Sequence, residues 1–280
     1  MKTNSIIFGV ILSFLVISKS QSQINFGDKA LGALQKGVAG FMFTDEDAAK
    51  LSKEAVDKMD KENPVALAKD PYTVRLNKVF GKHANENGLI LNFKVYKLKD
   101  INAFATADGS VRVFSGLMDA MDDNELLAVI GHEIGHVANH DSRDAMKAAY
   151  KKEALIEAAG SQSEKIAAVS ESTLGKIGNA MIDSKHSRKQ ESDADLYSYD
   201  FMKRNGYNVN AVESAFTILA KMSEGTSSDF LTKMMNSHPD SRERAEKAKL
   251  RAENDGLYKP YVKQVKVTTP KKVSPKKNKK

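Results

Sequence analysis

Two histidines and a glutamate, in the pattern His132-Glu133-Ile134-Gly135-His136, are the residues of this sequence best suited to chemistry. On an α-helix, a spacing of four residues means about 40° of rotation and about 6 Å of rise, so both imidazoles project from one face and can converge on one ion. Zinc suits imidazole nitrogens at about 2.0–2.1 Å, and its tetrahedral coordination leaves a position for water. Glu133 falls beside that water, which predicts that it is the general base.

The residues around this motif predict a buried helix. Ile130, Ile134 and Val137 form one apolar stripe at helical spacing, and a buried helix rarely carries two histidines and a carboxylate without a partner. Gly131 and Gly135 each cost about 1 kcal/mol relative to alanine in a helix interior, which predicts a close approach by another backbone or by substrate. The alternative, a chance motif on a solvated helix, is disfavoured by this context.

A pair of acidic residues, Glu191 and Asp195, lies in a second predicted helix that ends near Asn205 and Gly206. Their carboxylates are four residues apart and repel each other unless a cation lies beside them. Zinc ligation by Glu191, with Asp195 as the acceptor that fixes the tautomer of a ligand histidine, would satisfy both. The alternative is a solvated acidic face next to the basic residues that precede it.

His238 and Arg244 are further candidates for the site. Pro239 favours an extended conformation at His238, and residues 241–250 predict a helix, so this histidine lies at a rigid junction. It could donate to the oxyanion or occupy the fourth zinc position in the resting enzyme. Arg244 could hold a carboxylate or the oxyanion. The alternatives are a surface histidine and a salt bridge that fixes the helix. His140 is not expected to be a ligand, because two helical turns carry it about 12 Å from the first histidine.

The elements that must position these residues are predicted to be mainly helical. Predicted helices cover 44–61, 70–86 and 115–121. A capping box from Asp122 to Glu125 begins the H-E-x-x-H helix, and Asp141 and Ser142 are predicted to end or bend that helix. Residues 145–182 are predicted to form two helices, with breaks near Gly160 and Gly175. Strands are predicted over 89–98 and over 102–106, the latter paired with 110–114. The candidate substrate-binding residues are those of the edge strand, which could take an extended peptide as an added strand: Asn102, Ala103, Phe104 and Ala105. An ordinary half-buried hairpin is the alternative.

The ends of the chain differ from its middle. Residues 1–22 predict a cleaved signal peptide, because a lysine precedes a short apolar run and small residues follow it; an uncleaved anchor is the alternative. We expect an N-terminal amphipathic segment at 23–43, a metallopeptidase domain at 44–258 and a disordered lysine-rich tail at 259–280. The tail carries nine lysines, and without them the net charge of +7 becomes −2. The domain itself therefore has no nucleic-acid footprint, although the tail could contact an anionic envelope surface.

The spaced motifs together resemble the M48 family of zinc metallopeptidases, over roughly residues 43–250. They are the H-E-x-x-H helix, Glu191 to Asp195, the strand from Asn102, and His238 with Arg244. The resemblance implies an α+β, mainly α-helical, zincin-like fold of the gluzincin type, with a small antiparallel sheet beside the H-E-x-x-H helix. It also implies endopeptidase activity and one Zn²⁺ per chain, held by His132, His136 and Glu191.

The chain has no internal membrane spans and looks closer to the soluble periplasmic members of the family, which are involved in envelope protein quality control. The resemblance thus implies that its substrates are unfolded or misassembled envelope proteins. We therefore expect an exported protein, in the periplasm or secreted. The absence of cysteine and of a G-x-S-x-G motif excludes a cysteine nucleophile and disfavours a serine triad. The alternative function is a non-catalytic zinc-containing envelope binding protein or holdase, in which a fourth protein ligand would close the site.

Overall fold

The structure is a computed structural model, and it describes residues 44–160, 171–183, 185–225 and 237–264. Its helices are α1 (Asp45–Glu62), α2 (Pro71–Phe80), α3 (Ser115–Ala120), α4 (Asp123–Ala138), α5 (Asp141–Gly160), α6 (Glu171–Ile182), α7 (Arg188–Arg204), α8 (Asn210–Gly225) and α9 (Ser241–Asn254). Its strands are β1 (Asn85–Glu86), β2 (Leu89–Ile90), β3 (Asn92–Tyr96), β4 (Ala103–Ala105) and β5 (Ser110–Phe114). The α+β, mainly helical, zincin-like class is confirmed.

The sheet beside the motif helix has the strand order β3-β5-β4. The predicted hairpin is confirmed, because β4 pairs antiparallel with β5 and Ala103 lies opposite Val113. β3 runs parallel to β5, so the sheet is mixed rather than wholly antiparallel. Gly109 turns the hairpin at a φ of +82°, and a Cβ there would lie 2.1 Å from the carbonyl oxygen of Ile90. Because the strand order is β3-β5-β4, β4 lies at one edge of this sheet.

Two helix predictions are wrong in their extent. The helix predicted over 70–86 ends at Phe80, and the chain continues as a 3₁₀ turn (Gly81–His83) into β1. Tertiary packing outweighs helix propensity here, because His83 is buried with its ring 4.8 Å from that of Phe201. The break predicted near Gly175 is absent, since this glycine lies inside α6. A Cβ there would lie 2.8 Å from Cε of Lys58, so the glycine accommodates α1 and does not end a helix.

The motif helix α4 is buried along almost its whole length, from Glu125 to Val137. Its predicted capping box is confirmed: the Asp122 N–H donates to Glu125 Oε2 (2.8 Å), and the Glu125 N–H donates to Asp122 Oδ1 (3.0 Å). Both predicted close approaches involve α7. A Cβ on Gly131 would lie 3.1 Å from Phe201 Cδ1, and one on Gly135 would lie 2.9 Å from Ala194 Cα. The glycines thus let the helix that carries Glu191 pack closely against α4.

The C-terminal residues of the described chain cross the start of α4. The Tyr261 hydroxyl donates to Asp122 (2.9 and 2.8 Å), and the Lys263 ammonium lies 3.2 Å from Glu125 Oε2. Four residues that the sequence places in the tail thus contact the domain in the structure: Lys259, Tyr261, Lys263 and Gln264. The predicted signal peptide (1–22), the N-terminal segment (23–43) and residues 265–280 of the tail lie outside the described residues. No helix among the described residues is long and apolar enough to cross a membrane.

Candidate metal centre

Four of the predicted site residues converge on one point: His132, His136, Glu191 and His238. The Nε2 atoms of the first two are 3.1 Å apart. Glu191 Oε1 lies 3.4 Å from Nε2 of His136, and Oε2 lies 3.5 Å from Nε2 of His132. Ligands about 2.0–2.1 Å from a tetrahedral ion are about 3.3 Å apart. The spacing of these buried atoms therefore fits a zinc-sized ion.

Two helices bring the ligands together. His132 and His136 are one turn apart on α4, and their rings meet edge to face with centroids 4.6 Å apart. Glu191 lies in the first turn of α7, which begins with a capping box between Ser187 and Gln190. The close packing of α7 on α4 places this carboxylate against both imidazoles. The site thus depends on one local spacing and one helix–helix contact.

A carboxylate lies against each of the two candidate ligand histidines. Asp195 Oδ1 lies 2.9 Å from Nδ1 of His132, which is the position that the sequence predicted for it. Asp141 Oδ2 lies 2.9 Å from Nδ1 of His136. Each imidazole therefore gives Nδ1–H to a carboxylate and presents Nε2 to the common point. The sequence analysis missed this role of Asp141 and predicted only a helix end there. α4 in fact ends at Ala138, and Asp141 begins α5.

Arg244 lies between the two acidic residues of α7. Its Nη1 is 2.7 Å from Glu191 Oε2, and its Nη2 is 2.7 Å from Asp195 Oδ1. The guanidinium is buried and lies 4.1 Å from the ring centroid of Phe216. Burial raises the pKa of Asp195, but Arg244 and His132 outweigh it and lower that pKa to about 2. Of the interpretations of Arg244, the contacts favour a carboxylate-holding residue that also ties α9 to α7.

The pKa values of the two candidate ligand histidines are shifted in opposite directions. Burial and the nearby guanidinium of Arg244 lower the pKa of His132 to about 3, so its imidazole is neutral. Burial also lowers the pKa of His136, but Asp141 and Glu191 outweigh it and raise that pKa to about 9. A metal must displace this proton, so metal binding here is coupled to proton release.

Glu133 and His238 lie on the open side of the cluster. His238 Nδ1 is 2.9 Å from Glu191 Oε1 and 3.3 Å from Nε2 of His132. Its Nε2 is 3.8 Å from Glu133 Oε1. Burial raises the pKa of Glu133, which makes this carboxylate a better proton acceptor. His238 thus contacts both the cluster and the candidate base.

The predicted edge strand borders two cavities beside Glu133. One cavity is mostly apolar, and it is lined by Leu117, Val129, Phe216 and Leu219 together with Asn102 and Ala103. The other runs along Ala103, Phe104 and Ala105. Main-chain groups alternate along the strand, so those of Ala103 and Ala105 point away from β5, although all three residues of β4 are buried. The Ala105 carbonyl already accepts a hydrogen bond from Ser142 (3.1 Å), which leaves Ala103 as the β4 residue best placed to pair with a peptide.

Two other histidines lie near α4. His186 was not predicted as a site residue, yet its ring stacks on that of His136 with centroids 3.8 Å apart and an interplanar angle of 15°. Burial, His136 and His238 lower the pKa of His186 to about 3. His140 lies outside the cluster, as expected. It follows the end of α4 at a φ of 64°, and its Nδ1 lies 3.6 Å from Asp45 Oδ2 on the surface.

Comparison with known proteins places this site in a family. The model of peptidase family M48 matches residues 75–252. Metalloprotease LoiP of Escherichia coli (strain K12) is 39% identical over 230 residues, which are 81% of this chain and 90% of the relative. Metalloprotease YcaL of the same organism is 40% identical over 204 residues, 72% and 79% of the two chains. A putative beta-barrel assembly-enhancing protease of Vibrio cholerae serotype O1 is 34% identical over 179 residues, 58% of this chain and 36% of the relative.

Proposed function

We infer from the chain's membership of peptidase family M48, which makes it a metalloendopeptidase, that its metal is zinc and its general base is Glu133. The observation that carries this proposal is the tetrahedral spacing of the buried Nε2 atoms of His132 and His136 and the carboxylate of Glu191. Two histidines and one carboxylate leave one position open, as a hydrolytic site requires.

The residues of the site divide the reaction between them. When bound, zinc lowers the pKa of a coordinated water toward 7 and polarises the scissile carbonyl. Glu133 accepts the proton of the attacking water and passes it to the leaving amine. Asp195 and Asp141 hold the ligand imidazoles, and Arg244 holds Glu191 and Asp195. These three residues therefore act through the proposed ligands.

His238 is proposed as the fourth ligand of the resting site. Its Nδ1 lies as close to Glu191 and His132 as the ligands lie to each other. Pro239 and the start of α9 follow directly, so the residue sits on a short connection and not within a helix. Substrate entry would then require this imidazole to leave; the alternative role of His238 is donation to the oxyanion.

Protein substrates follow from the family, and we propose that they are unfolded or misassembled proteins of the cell envelope. The open edge at Ala103 supports binding of an extended main chain. The apolar cavity beside Glu133 supports selection of an apolar side chain next to the scissile bond. Export through a signal peptide at 1–22, to the periplasm or outside the cell, and weak contact of the basic tail with an anionic surface belong to the same proposal.

A zinc-containing binding protein or holdase is the second candidate, and the position of His238 is what favours it, because a fourth protein ligand closes a structural site. Zinc content and casein cleavage, measured before and after chelation and after zinc is restored, separate the two. We expect one zinc per chain and cleavage that stops on chelation and returns with zinc. Stoichiometric zinc without cleavage would favour the binding protein.

A further inference from the structure

His186 lies against the metal cluster without being one of its four groups. Its ring is nearly parallel to that of His136 at 3.8 Å, and its centroid is 5.3 Å from that of His238. It also lines the cavity that runs along β4 past Glu133. The residue immediately precedes Ser187, the N-cap of α7, so its backbone is fixed by the start of that helix.

The main chain of the same residue is tied to the turn that carries His238. The His186 N–H donates to the carbonyl of Ser237, at an N···O distance of 3.2 Å. His186 therefore makes two contacts at the site: its ring contacts His136, and its backbone contacts Ser237, the residue before His238. These two contacts link α4 to the 237–238 turn across the site.

The contact between the rings supplies a restraint that the hydrogen bonds of His136 lack. Its Nδ1 bonds to Asp141, and its Nε2 faces the common point, so both edge nitrogens are in use. Contacts at these two nitrogens fix the direction of the axis through Nδ1 and Nε2. They do not prevent the ring from rotating about that axis, which only contacts on the ring faces can oppose. A flat ring at van der Waals distance covers one face completely.

We propose that His186 is a positioning residue, whose ring holds the imidazole of His136 in the plane needed for metal binding and whose backbone holds the His238 turn beside it. The inference rests on the proposed ligand set. It concerns the shape of the ring, so another flat aromatic side chain should replace it, while a polar side chain without a ring should not. His186→Phe and His186→Gln form that matched pair.

The test measures metal binding first. Zinc affinity is determined by competition with a chromophoric chelator, and the visible spectrum of the Co²⁺-substituted protein reports the ligand geometry. Loss of a group that orients a metal ligand weakens metal binding by about 10–100-fold. We expect that loss and an altered cobalt spectrum in His186→Gln and His186→Ala, with His186→Phe within about threefold of wild type. His140→Ala, which changes an exposed histidine, should match wild type.

Wild-type zinc affinity and cobalt spectrum in His186→Ala would overturn the inference. So would retention in His186→Gln with loss in His186→Phe, because a hydrogen bond and not the ring would then be the contact that matters. Failure of the proposed function is distinguishable from both, since it is seen as absent peptide cleavage by zinc-loaded wild-type protein. The metal readouts of the variants do not depend on cleavage.

Discussion

Two buried arginines, Arg112 in the sheet and Arg244 in α9, both bind carboxylates, but the ratio of cations to carboxylates around them differs. Arg112 is 2% exposed, and its Nε and Nη2 lie 2.8 and 2.9 Å from the carboxylate of Asp60 on α1. The same carboxylate accepts from Lys94 (2.7 Å) and from the hydroxyl of Tyr96 (2.8 Å). This network therefore sets two cations against a single carboxylate and leaves no negative charge unpaired.

The network around Arg244 has the reverse balance. One guanidinium faces Glu191 and Asp195, and Glu133 lies across the cluster. The histidines that complete the cluster present nitrogen lone pairs to the same point once their protons are lost. Buried charge without a partner is costly, and the second cation on this side is the imidazolium of His136, whose pKa Asp141 and Glu191 raise. The comparison separates an ion pair that joins α1 to the sheet from a cluster whose second cation is a proton that a bound metal would replace.

The sharpest prediction concerns Glu133→Gln. Glutamine has nearly the same shape as glutamate but cannot accept the proton, so kcat should fall by several orders of magnitude while one equivalent of zinc is retained. Steady-state cleavage of a fluorogenic peptide by the zinc-loaded variant is the measurement. Asp60→Asn is the control from the other network, and its folded fraction should keep wild-type kcat. Undiminished turnover in zinc-loaded Glu133→Gln would remove this residue as the base.

The second prediction compares Glu191→Ala with His140→Ala. Loss of Glu191 removes a ligand and leaves Arg244 with one carboxylate, so zinc should be lost on dialysis. His140→Ala changes a side chain that is 55% exposed and should keep its zinc. Metal content is measured by elemental analysis on protein shown to be folded. The reverse result would refute the assignment of the third ligand.

The third prediction concerns Arg112→Met, which leaves the partly buried Asp60 carboxylate with only its lysine and tyrosine. Breaking a buried ion pair from one side costs about 3–5 kcal/mol, so the midpoint of urea unfolding should fall sharply. Zinc content per folded molecule should not change. Lys94→Met is the control, since this lysine is 43% exposed and its loss should cost less than about 1 kcal/mol. Lower zinc content in folded Arg112→Met would mean that the two networks are coupled.

What the sequence predicted correctly was local. The two histidines are one helical turn apart, Glu191 and Asp195 are one turn apart on α7, and the capping box at Asp122 lies within four residues. What it missed depends on approaches between distant segments. Asp60 and Arg112 are 52 residues apart and follow no spacing rule, and His186 meets His136 only because α7 packs on α4. Asp141 lies only five residues after His136. Its carboxylate reaches that ring because α4 ends at Ala138, and the sequence did not predict the position of this helix end.

The fourth prediction uses the pH dependence of the first network. Burial raises the pKa of Asp60, but Arg112, Lys94 and Tyr96 outweigh it and lower that pKa from 3.8 to about 2. A lowered pKa in the folded state stabilises the protein above the unfolded pKa, and this stabilisation is lost as the pH falls from about 4 to about 2. The free energy of unfolding that Asp60 contributes above this pH range is about 2 kcal/mol.

The measurement is the free energy of unfolding of wild type and of Asp60→Asn across that pH range. Asp195 also titrates there, but it does so in both proteins, so the difference between them isolates the contribution of Asp60. The difference between them should shrink as the pH falls. A constant difference would mean that the Asp60 carboxylate has the same pKa in the folded and unfolded states, and the first network would then not be a strong ion pair.

The smallest expected effect is that of His238→Ala. If His238 fills the fourth position of the resting site, its removal should weaken zinc binding by about tenfold, the lower end of the effect of altering a metal's surroundings. Turnover should be unchanged or faster, because substrate no longer has to displace an imidazole. If its main role is donation to the oxyanion, zinc affinity should be unchanged and kcat should fall by about 10²–10³-fold.

Chelator competition and steady-state kinetics on the same preparation distinguish these roles of His238, with His140→Ala as the histidine control. The geometry favours the first role, because His238 Nδ1 lies 2.9 Å from Glu191 Oε1, whereas its Nε2 is 3.8 Å from Glu133 Oε1. Wild-type zinc affinity and wild-type kcat together would remove His238 from the site. The proposed metal centre would then consist of three protein ligands, His132, His136 and Glu191, without a fourth.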